Sequence, residues 1–319
     1  MVVCIMDYLA LIAYGILNML FVLLVSPLFI SLIKIVKAHA QKRKGPPLLQ
    51  TYRSLAKLLK KETVYSSNSS WIMRATPLVN VAAVLVASLF VPMIIIPQST
   101  DLVGNIILFL YLLAMAKFFM ALSGLDAGST FGGMGSSREM AISALIEPVV
   151  IVVFAAMAFA FKTINLPDMF RSALASNVLV DPVIILISIS LFIVIIVESA
   201  RVPVDNPETH LELTMIHEAM ILEQSGKNLA MMELSSAMKQ LLLMGVLINI
   251  LVPWGLTADF TPQAILISLG AFLLKAVILA VIIGLFESSC AKSRLFRLPG
   301  LFAIALFLAI ITLIIEVFA

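Results

Sequence analysis

Apolar runs of membrane-spanning length restrict this sequence more than any other feature. The hydrocarbon core of a bilayer is about 30 Å thick, and about 20 helical residues are needed to cross it. Runs of that length recur near residues 8–33, 75–97, 102–123, 140–161, 181–198, 238–257, 262–286 and 299–318. Only 12% of the residues are charged, whereas soluble domains carry about 25%. The sequence therefore predicts an all-α, polytopic membrane protein of about eight transmembrane helices, with residues 1–319 forming a single membrane domain.

Basic residues fall on one side of the predicted spans. Ten of the 21 Lys and Arg residues lie between Lys34 and Arg74, and seven more lie in alternate loops or at their edges. Basic loops face the cytoplasm by the positive-inside rule. We therefore expect cytoplasmic loops at about 34–74, 124–139, 199–237 and 288–298, with both termini outside, in the cytoplasmic (inner) cell membrane. The first run is too long for a signal-peptide core, so we expect it to stay as the first helix.

Thiols and imidazoles are too sparse to assemble a cofactor site. Cys4 and Cys290 are the two cysteines, which excludes an iron–sulfur cluster or a zinc site built from thiolates of this chain alone. His39, His210 and His217 form no metal-binding pair. A metal site of His210, His217 and nearby carboxylates stays open as a minor alternative, although its spacing matches no specific ligand pattern. We expect no bound cofactor and no catalytic residue in this chain, and any redox centre in a partner.

The first basic loop predicts a short amphipathic helix. After Pro47, apolar side chains recur at helical spacing while Arg and Lys residues take the other faces. The apolar positions are Leu48, Tyr52, Leu55 and Leu59. Such a helix lies in the membrane interface, where it either binds anionic lipid or docks a protein, and both roles stay open.

The second loop, near residues 124–139, is rich in glycine. Glycines allow backbone conformations that are closed to other residues, so we expect a flexible turn. Ser136 and Glu139 have the spacing of a capping box, which predicts that the fourth span begins there. A turn and a cap do not account for Asp126 and Arg138.

Acidic residues concentrate between the fifth and sixth spans. Seven of the 18 Asp and Glu residues lie between Glu198 and Glu233. Glu198 and Arg201 are three residues apart and should pair if the fifth helix continues. A new helix is predicted after Pro203, with Asn206 as its N-cap and Pro207 in its first turn. The alternative is a solvated acidic loop.

Two carboxylates of that new helix suit proton transfer. Glu208 and Glu212 are four residues apart and share a helix face. Like charges repel, so the pKa of at least one carboxyl should rise if the site is shielded from water. Such a pair exchanges protons near neutral pH.

Charged residues also occur inside the apolar runs. Lys117, Glu147 and Lys275 would each cost about 2.5–3.5 kcal/mol if they faced lipid. They should therefore face the protein interior or water. Glu198 and Glu287 lie at cytoplasmic ends of spans, where solvation is easier and a structural role is expected.

Three stretches of the chain form a family pattern. They are Arg43-Lys-Gly-Pro46 with Leu49, Gln50 and Lys57-Leu-Leu-Lys-Lys-Glu62; Gly124 with Gly135-Ser-Ser-Arg138 and Glu147; and Glu198-x-x-Arg-x-Pro-x-Asp-x-Pro-Glu208-x-x-x-Glu212 with Glu223-x-Ser-Gly226. In this order they resemble the membrane subunit of respiratory complex I that roofs the quinone chamber, known as the H subunit or subunit 1. The resemblance spans nearly the whole chain.

Departures from the complex I pattern narrow the resemblance. Complex I subunits usually have Gly-Trp-Ser-Ser-Asn where this chain has Gly124-Leu-Asp-Ala-Gly128, and an acid where it has His210. About three extra residues precede Glu223, and no aspartate stands at residues 52–54. By contrast, residues 116–126, 253–255 and 285–292 resemble the counterpart subunit of energy-converting group 4 nickel–iron hydrogenases and formate hydrogenlyases. We favour that branch.

The resemblance implies a membrane-anchor and coupling subunit of a multisubunit oxidoreductase complex. The nickel–iron centre and iron–sulfur clusters are then expected in partner subunits: the hydrogenase large and small subunits and a ferredoxin-like subunit, with antiporter-like subunits in the membrane and no nucleic acid. It implies an ion-path or coupling role for Lys117, Glu147, Glu198, Arg201, Asp205, Glu208, Glu212, Glu223 and Lys275. It implies partner docking by Arg43, Gly45, Pro46, Gln50, Asp126 and Arg138.

Other functions stay open at this point. The main alternative is a quinone-chamber subunit of a respiratory complex I, and another is a passive anchor without an ion path. A secondary transporter is disfavoured because the two halves show no repeat. The sequence leaves open whether the ion is H⁺ or Na⁺, because carboxylates and lysines serve either.

Overall fold

The computed structural model describes residues 2–97, 104–175, 181–205, 215–257, 261–293 and 297–318, with side chains described from residue 11 onward. Over these ranges the regular structure is helical, apart from isolated β-bridges. The helices are α1 (Val2–Ala40), α2 (Gln50–Lys60), α3 (Trp71–Ser88), α4 (Ile106–Asp126), α5 (Thr130–Phe161), α6 (Leu166–Ala175), α7 (Pro182–Glu198), α8 (His217–Ile221), α9 (Gly226–Leu251), α10 (Pro262–Ser289) and α11 (Leu298–Phe318). The predicted all-α fold class is confirmed.

The chain is a polytopic membrane protein. Within the described ranges, seven helices are long and apolar enough to cross a membrane: α1, α3, α4, α5, α9, α10 and α11. The strongly apolar α7 has 17 residues, and at 1.5 Å per residue it is roughly 26 Å long, close to the thickness of the hydrocarbon core. These eight helices lie at the eight predicted positions. The sequence did not predict the short helix α6.

Helix α9 is the centre of the bundle. In the most apolar 18-residue stretch of α9, 78% of the residues are buried within the chain. The corresponding shares are 28% in α10 and 22% in α11. α9 packs against α1, α2, α3, α6, α7 and α10. Polar side chains on α9, including Lys239 and Gln240, therefore face other helices, while α10 and α11 present apolar surface suited to lipid or a partner.

The second predicted span is interrupted. We expected one apolar run near 75–97, but α3 ends at Ser88, and residues 89–97 continue as buried, non-helical backbone. Proline at Pro92 and Pro97 explains the stop, because proline cannot donate the helical hydrogen bond. Freed backbone groups must be bonded within the protein at membrane depth. Asn18 donates to the Ser88 and Val91 carbonyls, and Asn249 donates to the Pro92 carbonyl at 2.7 Å.

The connection between α4 and α5 differs from the prediction. α5 begins at Thr130, and its N-cap is Ser129, whose hydroxyl accepts from the Gly132 N–H at 3.1 Å. Ser136 therefore lies inside α5, where its hydroxyl donates to the Ala121 carbonyl at 2.9 Å. The predicted Ser136–Glu139 capping box is wrong.

The glycines of this region allow helices to approach closely; they do not form a flexible turn. A Cβ on Gly135 would lie 2.7 Å from Ala219 Cβ, and one on Gly124 would lie 2.3 Å from Ser136 Oγ. Gly135 therefore lets α8 pack directly on α5. Gly133, two residues earlier on the same helix, has open space where its Cβ would be.

The predicted amphipathic helix is confirmed as α2. It packs against α1 and α9, with Leu55 buried and Leu59 exposed. The Tyr52 hydroxyl donates to the Leu24 carbonyl, and the Thr51 and Ser31 hydroxyls lie 2.6 Å apart. These contacts attach α2 to the membrane-spanning α1.

The two glycines of α5 provide a matched test of the α5–α8 contact. Gly135→Ala should lower stability by about 1–3 kcal/mol, because the new methyl group overpacks the contact with α8. Gly133→Ala should be neutral or stabilising by up to about 1 kcal/mol, because alanine is the better helix former. Gel filtration of the fluorescently tagged subunit after heating in detergent measures both variants. Equal heat resistance of the two variants would contradict the close-approach explanation.

Candidate functional site

Glu198 is buried between two lysines. Lys117 Nζ of α4 donates to Glu198 Oε1 at 2.7 Å, and Lys239 Nζ of α9 donates to Glu198 Oε2 at 2.6 Å. The side chain of Glu198 is 9% exposed, that of Lys117 is 8% exposed and that of Lys239 is 15% exposed. Charge-assisted bonds of this kind offset part of the cost of removing the charges from water. Glu198, Lys117 and Lys239 form what we call the Glu198 cluster. The sequence places Glu198 at a span end, where solvation is easier, but the structure buries it between its two partners.

The expected Glu198–Arg201 pair is not formed. Ala200 follows α7 with a left-handed backbone, φ 49°. The Ala200 N–H bonds the Val197 carbonyl, and the Arg201 N–H bonds the Ile196 carbonyl. This pattern is a Schellman helix ending, which usually has glycine in place of Ala200. Because the chain reverses here, Arg201 points away from Glu198.

Arg201 instead enters a second buried group, which we call the Arg201 cluster. Its guanidinium donates to Glu287 Oε1 at 3.3 Å and to Gln240 Oε1 at 2.7 Å. Lys37 Nζ lies 3.6 Å from Glu287 Oε2, longer than a hydrogen bond, so their attraction is electrostatic. Glu287 is 2% exposed because the end of α10 packs against α1 and the turn after α7. Glu287, also at a span end where solvation is easier, is likewise buried beside cationic partners.

Asp205 ties the ends of the acidic segment together. Lys292 Nζ donates to Asp205 Oδ1 at 2.7 Å, and the N–H groups of Ile216 and His217 donate to Oδ2, each at 3.1 Å. Asp205 therefore joins the end of α7, the start of α8 and the segment after α10. Glu223 lies partly exposed in the turn between α8 and α9.

The predicted helix of the acidic segment falls on residues 206–214, outside the described part of the chain. Asn206, Pro207, Glu208, His210 and Glu212 all lie there. The predicted Glu208–Glu212 pair therefore stays a prediction.

Of the two remaining coupling candidates, Glu147 lies near the Glu198 cluster and Lys275 lies far from Glu287. Glu147 is exposed on the side of α5 and borders an apolar cavity of about 260 Å³ together with Lys117 and Glu198. Lys275 donates to the Val252 and Trp254 carbonyls at 2.9 and 2.6 Å, where it neutralises the end of α9. It lies 12 residues before Glu287 on the same helix, roughly 18 Å away. The structure brings Lys117, Glu147 and Glu198 together and leaves Lys275 apart.

Two predicted docking residues make internal contacts. Asp126 accepts from the N–H groups of Ser70 and Met73 at 2.9 and 3.1 Å, which caps the start of α3. Arg138 donates to the Met215 carbonyl at 2.8 Å and so holds the chain before α8. These contacts give both residues the structural explanation that the sequence did not offer.

The other docking candidates surround the loop before α2. Arg43 is exposed, and a Cβ on Gly45 would lie 3.1 Å from Ile35 Cα, so Gly45 seats the loop on α1. Pro46 and Gln50 line a cavity of about 410 Å³ between α1, α2, α8, α9 and the turn after α7, which we call the α2 cavity.

Sequence reasoning missed several members of these groups. They are Lys37, Glu139, Lys239, Gln240 and Lys292. Lys239 stands at the edge of the apolar run 238–257. Its position could have indicated a buried charge, as the position of Lys117 in its own apolar run does. Within the described residues, no group of three His, Cys, Asp or Glu side chains is placed to hold a metal.

These features define a class: a polytopic, all-α membrane protein whose buried ion pairs cluster at one end of its bundle. A family model described as NADH dehydrogenase matches residues 12–317, and the chain belongs to that family. The resemblance to the complex I membrane subunit is thereby confirmed.

Individual relatives place the chain in the hydrogenase branch. It is 32% identical over 286 residues to formate hydrogenlyase subunit 4 of Escherichia coli (strain K12), a match that covers 88% of this chain and 91% of the relative. It is 28% identical over 284 residues to hydrogenase-4 component C of the same organism, with 89% of each chain covered. The branch favoured from the sequence is confirmed.

A solved structure shares the fold. This is the membrane-bound sulfane sulfur reductase, described as an archaeal respiratory membrane complex, in which one chain matches with a TM-score of 0.78 at 19% identity. The match covers 95% of this chain and 99% of that chain.

Removal of the central carboxylate tests the Glu198 cluster. Glu198→Gln should destabilise the protein by about 3–5 kcal/mol, because it leaves two buried lysines without their counter-ion. Asp168→Asn is the matched control, since Asp168 pairs with Arg171 at 3.0 Å but is 28% exposed, and such surface pairs contribute about 0–1 kcal/mol. Heat resistance of each variant in detergent measures the difference. A Glu198→Gln protein as resistant as Asp168→Asn would contradict the assignment of a buried pair.

Proposed function

We propose that this chain is the membrane-anchor and coupling subunit of an energy-converting hydrogenase-type complex. It docks the arm that carries the nickel–iron centre and iron–sulfur clusters and links redox chemistry there to H⁺ or Na⁺ translocation. The similarity to formate hydrogenlyase subunit 4 and hydrogenase-4 component C extends over nearly the full length of all three chains, which supports this function. Catalysis belongs to other subunits.

The observation that carries the coupling role is Glu198 held between Lys117 and Lys239. A carboxylate with two cationic partners in a buried site can pair with either lysine or with both, and these pairings belong to one coupled network. A charge change in a neighbouring subunit shifts the balance between these arrangements. The cluster therefore suits coupling better than simple anchoring, for which buried apolar residues would serve equally well.

A route from the Glu198 cluster to the membrane face supports ion transfer. Lys117 and Glu198 border the apolar cavity that Glu147 also borders. Glu147 lies in a membrane-spanning helix and is exposed in the isolated chain. A carboxylate in this position needs a polar neighbour, which an antiporter-like membrane subunit would supply.

The proposed ion path runs from Glu147 at the membrane face toward the α2 cavity, which lies on the proposed docking side. The basic loop that contains Arg43 precedes α2, and α2 and the turn after α7 both line the α2 cavity. We assign this side to the cytoplasm, with both termini outside, and we place the hydrogenase and ferredoxin-like subunits on it. Asp205 and Glu223 lie on the same side, and we assign to them, together with Glu208 and Glu212, the sensing of the redox state of those subunits.

Quinone reduction is the second candidate, because the α2 cavity has the volume for a ligand. Polar side chains outnumber apolar ones in its lining, however, and six of them are ionisable: Lys34, Arg201, Asp205, His217, Glu218 and Glu233. Sites for lipid-soluble ligands are lined mostly by apolar groups. Six ionisable groups around one cavity are unusual for a lipid-soluble ligand, so we rank quinone reduction second, and quinone-dependent turnover of the purified complex would reverse this ranking.

Charge-neutral variants test the ion path. Glu147→Gln and Glu212→Gln should leave hydrogen oxidation with an artificial dye largely intact, because the redox centres are elsewhere. Each should lower coupled ion transport in inside-out vesicles by roughly 10-fold, because an amide cannot carry a proton. Asp168→Asn, on the side away from the clusters, serves as the control. Unchanged ion transport in both glutamate variants would rule out the path.

Charge reversal tests the docking side. Arg43→Glu combined with Lys44→Glu should release the cluster-bearing subunits from washed membranes, because both side chains are exposed beside α2. Lys162→Glu, at the other end of α5, should not release them. Mass spectrometry of membrane and soluble fractions measures the distribution. If the double variant instead loosens the binding of anionic lipid while the arm stays attached, α2 is a lipid anchor.

A further inference from the structure

We propose that His217 is the proton-transfer residue between the α2 cavity and the Glu198 cluster. The inference rests on the proposed coupling function and adds a residue that the family pattern does not contain. It follows from the way two cavities share their walls around one imidazole.

A small cavity lies between the α2 cavity and the Glu198 cluster. Its volume is about 40 Å³, enough for a few water molecules, since one water needs about 10–15 Å³. Lys117, Glu139, Glu198 and Lys239 line it. Because Lys117 and Glu198 also border the apolar cavity beside Glu147, the small cavity touches the start of the proposed ion path.

Four residues line both the small cavity and the α2 cavity. They are Ser199, Ala200, His217 and Ser236. His217 is the one ionisable side chain among these four. The α2 cavity borders α2 and the proposed docking side. The imidazole therefore lies where protons would pass from this cavity to the buried lysines.

The backbone of His217 is held firmly, so its ring keeps this position. Its N–H donates to Asp205 Oδ2 at 3.1 Å, and α8 packs against α4 and α5 through the close approach at Gly135. Among the described residues, neither ring nitrogen has a protein hydrogen-bond partner. A histidine used only for packing would be expected to bond its ring nitrogens to the protein, whereas this side chain borders a cavity on each side.

Burial and the charges around the ring set its protonation state. Burial lowers the pKa of His217, while Glu218 and Asp205 raise it and Lys239 lowers it further, so that the net pKa is below that of a free imidazole. Around the two cavities, the other charged groups facing it are Lys34, Lys117, Glu139, Glu198, Arg201 and Glu233. The ring is therefore mainly neutral at neutral pH, with one nitrogen able to accept and the other to donate.

The transfer step conserves atoms and charge. A hydronium ion in the α2 cavity gives its proton to the unprotonated ring nitrogen and becomes water, and the opposite N–H then releases its proton to water in the small cavity. That hydronium ion passes the proton to the carboxylate of Glu139, because Glu198 is already bound by two lysines. A ring flip restores the starting tautomer, and no electron moves.

Imidazole rescue in the intact complex tests the relay. His217→Ala in inside-out vesicles should keep dye-linked hydrogen oxidation and lose coupled ion transport by about 10-fold or more. Added imidazole should restore transport, because the α2 cavity can admit a molecule of that size. The readout is membrane potential, since imidazole itself buffers a pH difference. A residue that acts only in packing would show no rescue, and absence of rescue overturns the relay.

Three further variants make the result unambiguous. His39→Ala is the matched control: His39 is exposed at the end of α1, bonds the Ile35 carbonyl and borders neither cavity. His217→Gln keeps the bulk of the side chain and cannot relay a proton, so its full transport activity would overturn the proposal even if His217→Ala fails to assemble. Glu147→Gln, at an exposed position, separates the two hypotheses. Loss of transport in Glu147→Gln but not in His217→Gln removes the relay alone, whereas transport unaffected by both Glu147→Gln and Glu212→Gln removes the coupling function itself.

Discussion

Burial of Glu198 between Lys117 and Lys239 is the interaction on which the rest of the structure depends. It joins α4, α7 and α9, three helices that the chain does not connect directly. Removal of a charge from water costs several kcal/mol per ion, so the pairing must be kept as the helices pack. Because Lys239 is followed by Gln240, which bonds Arg201, the same turn of α9 also fixes the Arg201 cluster. Neither cluster can rearrange without a change at α9.

Features set by local sequence were predictable, and those set by distant contacts were not. The spans and α2 follow from the periodicity of apolar residues, which needs only neighbouring positions. Glu198 meets partners 81 and 41 residues away, and Arg201 meets Glu287 86 residues away. From the sequence alone, Arg201 was the expected partner of Glu198, because the two are three residues apart. This prediction failed because Ala200 adopts a left-handed conformation that usually signals itself through glycine.

The magnitude of a redox signal explains why such clusters are buried. A unit charge about 15 Å away changes the energy of an ionisable group by about 1 kcal/mol at an effective dielectric of 20, under one pKa unit. At the surface, ions and water would screen even that. In the proposed coupling, alternative pairings of Glu198 with Lys117 and Lys239 would convert a shift of this size into a change of arrangement. Charges held in the interior therefore respond to a distant electron, whereas surface charges do not.

The exposed carboxylate of Glu147 indicates that another subunit covers part of this chain. Glu147 is exposed on a helix long and apolar enough to span a membrane, and a carboxylate that faced lipid there would cost about 2.5–3.5 kcal/mol. Lys117, the cation on the same cavity, is already bound to Glu198. We infer that a neighbouring membrane subunit covers this face of α5 with a polar group. The end of the proposed path is then completed by the partner, which makes assembly of the complex a condition for ion transfer.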